Sequence, residues 1–233
     1  MGNEMMGLQE LATYLQRDAR EVSKWASRGY LPGQKVSGEW RFHRAEINQW
    51  LETQMRGYDE QELTAIEKGD NQHTGEEPLL SVHLSEATTA VPLQASTRKS
   101  VLKELVSLAE RSWQVYDPEA ILSAIEAREE MGSTAQDNGV AIPHPRRPLP
   151  NALGESLIAY GRTATGIPFG APSGIETDIF FLVACRDDRT HLRVLARLSR
   201  LMLRPNFLDT LRAAQTASET FHLIEEAERE LIG

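Results

Sequence analysis

Residues 179–185, IFFLVAC, are the longest uninterrupted apolar run in the chain, and they narrow the folds open to it. The run is far too short for a membrane-spanning helix, which needs roughly 20 residues. Residues 178–183 read instead as a strand that is apolar on both faces, and such a strand must be covered from both sides. Shorter β-rich runs at 140–142 and 157–160 supply neighbours for it. Helical stripes lie on either side in the sequence. Val101, Leu102, Leu105, Val106 and Leu108 follow a Ser96-Thr97 cap, and Ile121, Leu122 and Ile125 follow Asp117-Pro118, with proline at the first helical position. Two or three more helices close the chain, including 191–203 and 219–231. The expected class is α/β: a C-terminal α/β sandwich, with a mixed sheet flanked by helices, beside a smaller N-terminal domain.

Charge marks where the chain divides. Its 233 residues suffice for two modest domains. The balance of 25 Lys+Arg against 34 Asp+Glu, net −9, excludes a polybasic nucleic-acid wrapper but leaves a local basic face open. Residues 53–78 carry only Arg56 and Lys68 against Asp59, Glu60, Glu62, Glu67, Asp70, Glu76 and Glu77. They lack a sustained apolar stripe and read as an acidic linker, with a short helix over 59–68 left open. The expected organisation is a domain over 1–56, a linker over 57–78 and a domain over 79–233. Cys185 is the only cysteine, which excludes a disulfide framework and a cysteine-rich zinc site. It reads as a small hydrophobe behind the buried strand. Glu4 and Glu10 fall where an export signal would be apolar, so a cytoplasmic protein without membrane contact is expected.

In the first domain, Leu8, Leu11, Ala12 and Leu15 mark one helix face over 7–15. A second helix fits 18–28, with Asp18 as N-cap, Glu21 three residues on, Val22 and Trp25 inward, and Gly29 ending it. Leu31-Pro32-Gly33 breaks the chain before QKVSGEWRF, whose Ser37-Gly38 supplies a hairpin turn. A third helix starts at Arg44, with Ile47, Trp50 and Leu51 on one side. The stretch LATYLQRDAREVSKWASRGYLPGQKVSGEWRFHRAEINQWL resembles the excisionase-like winged helix-turn-helix domain. That resemblance implies double-stranded DNA as a partner. Arg20, Glu21, Lys24 and Arg28 would lie on the polar side of the recognition helix, and Lys35 and Arg41 would flank the wing. The domain is electrically neutral, so a docking or dimerisation role is the other reading.

The second domain holds REEMGSTAQDNGVAIPHPRRPLP, in which His144 follows a short apolar strand and sits between Pro143 and Pro145. Pro145 biases His144 towards extended angles, and Pro143 has no amide donor, so the imidazole is held at a strand end. Arg128-Glu129, Ser133-Thr134, GVAIPH, GIPF, DIFFLVA and HLRVLARLSRLM follow in order. Together they resemble the enzyme IIA domain of the phosphotransferase system (PTS), of the fructose/mannitol and nitrogen-regulatory type. Two features depart from that pattern: Pro145 stands where a small residue is usual, and Ala135-Gln136-Asp137-Asn138 replaces a stretch with an apolar residue and a glycine.

The resemblance implies that His144 accepts a phosphoryl group from HPr or its nitrogen-branch counterpart, then passes it to a IIB or regulatory protein. By position Arg128 is the neighbouring cation and His191 the second active-site histidine, so the resemblance implies an uncrowded imidazole beside a guanidinium. The chemistry suits these residue types. Neutral imidazole is a nucleophile near neutral pH, and phosphoryl transfer asks the protein mainly for positioning and cationic stabilisation. Ser133, Thr134 and Arg146 are further candidates for holding phosphate oxygens. No metal or cofactor is required, and the activity is that of a phosphocarrier rather than a metabolic enzyme acting on a small molecule.

Three functional readings stay open: a phosphocarrier coupled to DNA binding, a sugar-transport IIA component serving a separate IIB, and a binding module with a silent site. A hydrolytic triad of Ser133, His144 and Asp178 has no nucleophile-elbow sequence behind it. A zinc site from His144, His191 and a carboxylate lacks a spacing signature. His43, His73, His83 and His222 read as structural or solvated.

Overall fold

The computed structural model describes residues 4–69 and 76–233. Asp70 and His73 of the acidic stretch lie outside the described residues.

The N-terminal part contains β1 (Met5–Gly7), α1 (Leu8–Leu15), α2 (Ala19–Ser27), β2 (Gln34–Val36), β3 (Glu39–His43) and α3 (Arg44–Met55). Its antiparallel sheet has the order β1-β3-β2. Ser37 and Gly38 both have positive φ, at 52° and 86°, the geometry a two-residue hairpin turn needs to match strand twist. Asp18 caps α2 by accepting from the Arg20 amide, and its side chain has no reciprocal bond with Glu21 three residues on. Trp25, expected inward, is only half-buried, and its ring lies 6.2 Å from that of Trp50. β1 was not expected; three residues are too few to display an alternating pattern.

Within the acidic stretch the helix left open over 59–68 is present, and its burial is what a linker reading did not foresee. Residues Glu60–Lys68 form α4, opened by a reciprocal capping box between Asp59 and Glu62. Leu63 and Glu67 on its inner face are fully buried. Apolar surface alone would not hold this segment. Its acidic side chains find arginine partners on a helix of the second domain, and burial follows from that pairing.

That second domain runs α5 (Leu80–His83), a single 3₁₀ turn, β4 (Thr89–Ala90), α6 (Arg98–Glu110), α7 (Pro118–Glu130), β5 (Val140–Ala141), β6 (Leu157–Ile167), β7 (Thr177–Ala184), α8 (Asp188–Leu203), α9 (Phe207–Ala213) and α10 (Ala217–Ile232). The mixed sheet has the order β4-β6-β7-β5, with β6 and β7 antiparallel and the outer pairs parallel. Along β7, Ile179, Phe181 and Val183 face one core with Val194, Leu198 and Leu201 of α8. Phe180, Leu182 and Ala184 face the other, with Val101 and Leu105 of α6 and Ile121 and Ile125 of α7. The two-sided apolar strand is therefore covered on both faces, as its sequence requires. Cys185 ends it, buried, and that burial pushes its thiol up to about 12. One apolar cluster runs from Leu51 and Met55 of α3 through Leu63 of α4 to Leu192 and Leu195 of α8, so α8 is the surface on which the N-terminal part rests. Among the described residues no helix is long and apolar enough to cross a membrane.

Candidate functional site

His144 owes its position to β5 and to the prolines beside it. Gly139, at φ 82°, turns the chain into β5, and the space where a Cβ would project is taken by Arg212 and Asp178. β5 pairs in parallel with β7, and the ladder continues one step further as the Val183 amide donates to the Pro143 carbonyl at 3.0 Å. Pro143 contributes only that acceptor, which suits a residue with no amide proton. The chain then turns, and His144 Nδ1 donates to the Ile142 carbonyl at 2.7 Å. A carbonyl can only accept, so Nδ1 carries a proton and Nε2 is the atom directed elsewhere.

His191 comes from α8. It was expected to head that helix, but α8 starts at Asp188 with Asp187 as its cap, so His191 lies in the first turn rather than at the end. Its ring centroid is 5.0 Å from that of His144. Arg128, in the last turn of α7, is 6% exposed and donates through Nη1 to the Gly132 carbonyl at 2.9 Å. Its Nε is buried with no hydrogen-bond partner.

These three groups meet on a residue that the sequence pattern did not single out. The Glu52 carboxylate of α3 places Oε2 2.9 Å from His144 Nε2 and 3.4 Å from Arg128 Nη2, and Oε1 3.0 Å from His191 Nε2. Burial alone would raise the Glu52 carboxyl. The charges and hydrogen bonds of His144 and His191 outweigh it and hold the group well below the usual carboxylate range. The sequence signal was faint: Asn48, Glu52 and Arg56 recur every four residues beside the apolar stripe of Ile47, Leu51 and Met55. All three point to the second domain. Asn48 donates to Asp188 at 2.7 Å, and Arg56 donates to the carbonyls of Ser133 and Ala135 at 3.2 and 3.4 Å.

The uncrowded imidazole expected above is therefore not what the structure has. His144 is 3% exposed, because α3 lies over it. The guanidinium is near, but it faces the same carboxylate. Two of the other phosphate-holding candidates, Ser133 and Thr134, are engaged elsewhere. Ser133 Oγ donates to the Phe169 carbonyl at 2.8 Å and accepts from the Ala135 amide at 3.1 Å. Thr134, though beside the cleft, hydrogen-bonds the Glu129 carboxylate through both its hydroxyl and its amide. Arg146 is not among the residues lining the cleft, which include Glu52, Arg56, Arg128, Thr134 and His144.

Glu52, His144 and His191 place three ligand-type atoms within 4.8 Å of one another, a donor set that suits zinc by type. The Arg128 guanidinium beside the same carboxylate opposes a second cation there, and the nitrogen–oxygen separations are those of hydrogen bonds. The cluster is best described as one carboxylate held by three cationic or hydrogen-bonding groups.

The DNA-binding candidates lie away from this cluster. Arg20, Lys24, Arg28 and Lys35 are exposed, Lys35 lying over the Trp40 ring at 5.2 Å. Arg41 pairs with Glu39 at 2.8 Å on the same strand of the wing.

Residues 83–227 match the family described as "Phosphoenolpyruvate-dependent sugar phosphotransferase system, EIIA 2". The chain belongs to that family. Residues 5–55 match a helix-turn-helix domain. A nitrogen regulatory protein of Escherichia coli is 29% identical over 151 residues, 64% of this chain and 91% of that one. A fructose-specific EIIABC component of Bacillus subtilis is 26% identical over 148 residues, 63% of this chain but only 23% of that larger protein. Among solved structures, the nitrogen regulatory protein IIA-Ntr of Neisseria meningitidis superimposes with a TM-score of 0.57 at 23% identity, covering 63% of this chain and 99% of that one. The mannitol IIA of Escherichia coli, solved in complex with phosphorylated mannitol IIB, gives 0.52 at 16% identity, covering 61% and 96%. At these identities the structural likenesses establish the fold of this EIIA 2 domain.

Proposed function

We propose that this chain is a cytoplasmic phosphocarrier that accepts a phosphoryl group on His144 from HPr or its nitrogen-branch counterpart. Its helix-turn-helix domain couples that event to DNA or to a regulatory partner. The observation that carries this reading is the convergence of His144 Nε2, His191 Nε2 and Arg128 on a single carboxylate. Two ring nitrogens and a guanidinium around one small anion also suit a phosphoryl group.

The hydrogen bonds around His144 support this route. The Ile142 carbonyl holds the Nδ1 proton, which fixes the ring and leaves Nε2 as the reacting atom. The Nε2 lone pair forms a bond to phosphorus while the donor's phosphorus–nitrogen bond breaks, its electron pair returning to the donor imidazole. Negative charge on the equatorial oxygens is offset by Arg128, whose Nε remains unpaired, and by His191 near the N-terminus of α8. Passing the group on to a IIB or regulatory acceptor reverses these steps. A sugar-transport role would require separate IIB and membrane subunits.

Incubation with enzyme I, HPr or its nitrogen-branch counterpart, and labelled phosphoenolpyruvate tests the assignment. The wild-type chain should acquire acid-labile label and His144→Ala should not. Undiminished label on His144→Ala would move the acceptor elsewhere.

A further inference from the structure

We propose that Glu52 is a built-in gate on the phosphorylation site: α3 lays its carboxylate where the phosphoryl group would sit, so the helix-turn-helix domain must swing away before His144 can react. The gate rests on the phosphocarrier role above and concerns its regulation.

Occupancy comes first. His144, which would bond phosphorus, and His191 and Arg128, which would face its oxygens, already meet Glu52, at 2.9, 3.0 and 3.4 Å. The side chains of Glu52 and His144 are 7% and 4% exposed, so a donor protein's phosphohistidine cannot reach Nε2 past α3. The donor and the helix-turn-helix domain compete for one face of the EIIA 2 domain.

Engagement of the ring comes second. His144 Nδ1 donates to the Ile142 carbonyl and Nε2 is hydrogen-bonded to the Glu52 carboxylate, so both ring nitrogens are taken up while α3 is docked. When α3 leaves, Nε2 loses that partner and is open to phosphorus.

Exclusion after reaction comes third. A phosphoryl group adds nearly two negative charges. Re-docking would press the Glu52 carboxylate against them in a nearly dry site, which is strongly unfavourable. Docking and phosphorylation therefore exclude one another, and each biases the other by the same factor. The recognition-helix residues Lys24 and Arg28 are exposed in the docked form, so release changes how the domains are arranged without uncovering that helix.

The test uses the full chain as wild type, Glu52→Ala, Glu52→Gln and His144→Ala, with enzyme I, HPr or its nitrogen-branch counterpart, and labelled phosphoenolpyruvate. Initial labelling rates are read beside the distance between spin labels at positions 24 and 103, one on each domain. Both Glu52 variants should label at least about tenfold faster than wild type, because a larger fraction is open. In the wild type the interdomain distance should lengthen on phosphorylation. Glu52→Gln keeps the side chain's shape, so a folding defect in Glu52→Ala does not blunt the test. Equal rates in wild type and both variants, with an unchanged distance after labelling, would overturn the gate and leave the phosphocarrier role standing. Absence of label in all four proteins would remove that role and the gate with it.

Discussion

Arg197 of α8 and Glu67 of α4 form a fully buried ion pair, with Arg197 Nε 2.8 Å from Glu67 Oε1 and neither residue showing any exposed surface. Neither stands alone. Arg197 also donates through Nη1 to Glu228 of α10 at 2.6 Å, and Glu228 in turn accepts from the amides of Leu79, Leu80 and Ser81. Arg200 bridges Glu67 and Glu60, at 2.8 Å each. The network fastens α4, α8, α10 and the start of α5 together.

Breaking it from one side should be costly. Glu67→Ala leaves Arg197 buried with less counter-charge, and removing one partner of a buried pair typically costs about 3–5 kcal/mol. Thermal denaturation should show a clear drop in Tm for Glu67→Ala. Glu62→Ala, which removes a part-exposed side chain that pairs with Arg17 at 3.8 Å and completes the α4 capping box, should shift it less, at a cost of about 1 kcal/mol. Equal shifts in the two variants would show that the buried pairing is not what holds α4 down.

How much of this was legible beforehand depends on the range of the interaction. Asp117, Thr97 and Ser37-Gly38 act on their own neighbours, so caps and turn could be read from a few letters. β7 was legible because its two faces are both apolar. Arg193, Arg197 and Arg200 make a basic stripe on α8, and Glu60 and Glu67 an acidic one on α4, yet charges on a helix read as solvated until a partner is known. Glu52 was the least legible of all: it meets His144 across 92 residues of sequence, and only the fold brings them together. The histidines and Arg128 could be named from motif order, whereas what covers them could not.

Acid should loosen the Glu52 contact in a way that can be separated from general acid unfolding. The groups facing Glu52 are His144 beyond β5, His191 on α8 and Arg128 on α7, with Arg56 on its own helix. Burial, the largest single influence, raises the carboxyl, but His144 and His191 override it, so the docked value lies well below the ordinary 4.5. A depressed carboxyl stabilises the form that depresses it. Its contribution is complete above about pH 4.5 and is lost as pH falls through the docked value, at about 1.4 kcal/mol per pH unit in between. Amide exchange protection of α3 should therefore decline between pH 5 and 3.5, roughly, in the wild type. The same measurement on Glu52→Gln should be flatter. Parallel declines would assign the effect to other carboxylates.

DNA binding by the helix-turn-helix domain makes a graded prediction about its cations. Lys24 and Arg28 are exposed on and just after α2, whereas Arg41 is already paired with Glu39 in the wing. A cation with a carboxylate partner has less to gain from a phosphate, because the existing pair must be given up first. Lys24→Ala with Arg28→Ala should weaken duplex binding across all sequences and reduce the slope of log affinity against log salt by about 0.9 for each phosphate no longer neutralised. Arg41→Ala should change the slope less than either. Gel-shift titrations over a salt series measure both quantities. If the double variant binds with unchanged affinity and slope, α2 is not the helix that meets the phosphates. A larger drop in affinity from Arg41→Ala than from the α2 variants would move the phosphate-binding surface to the wing.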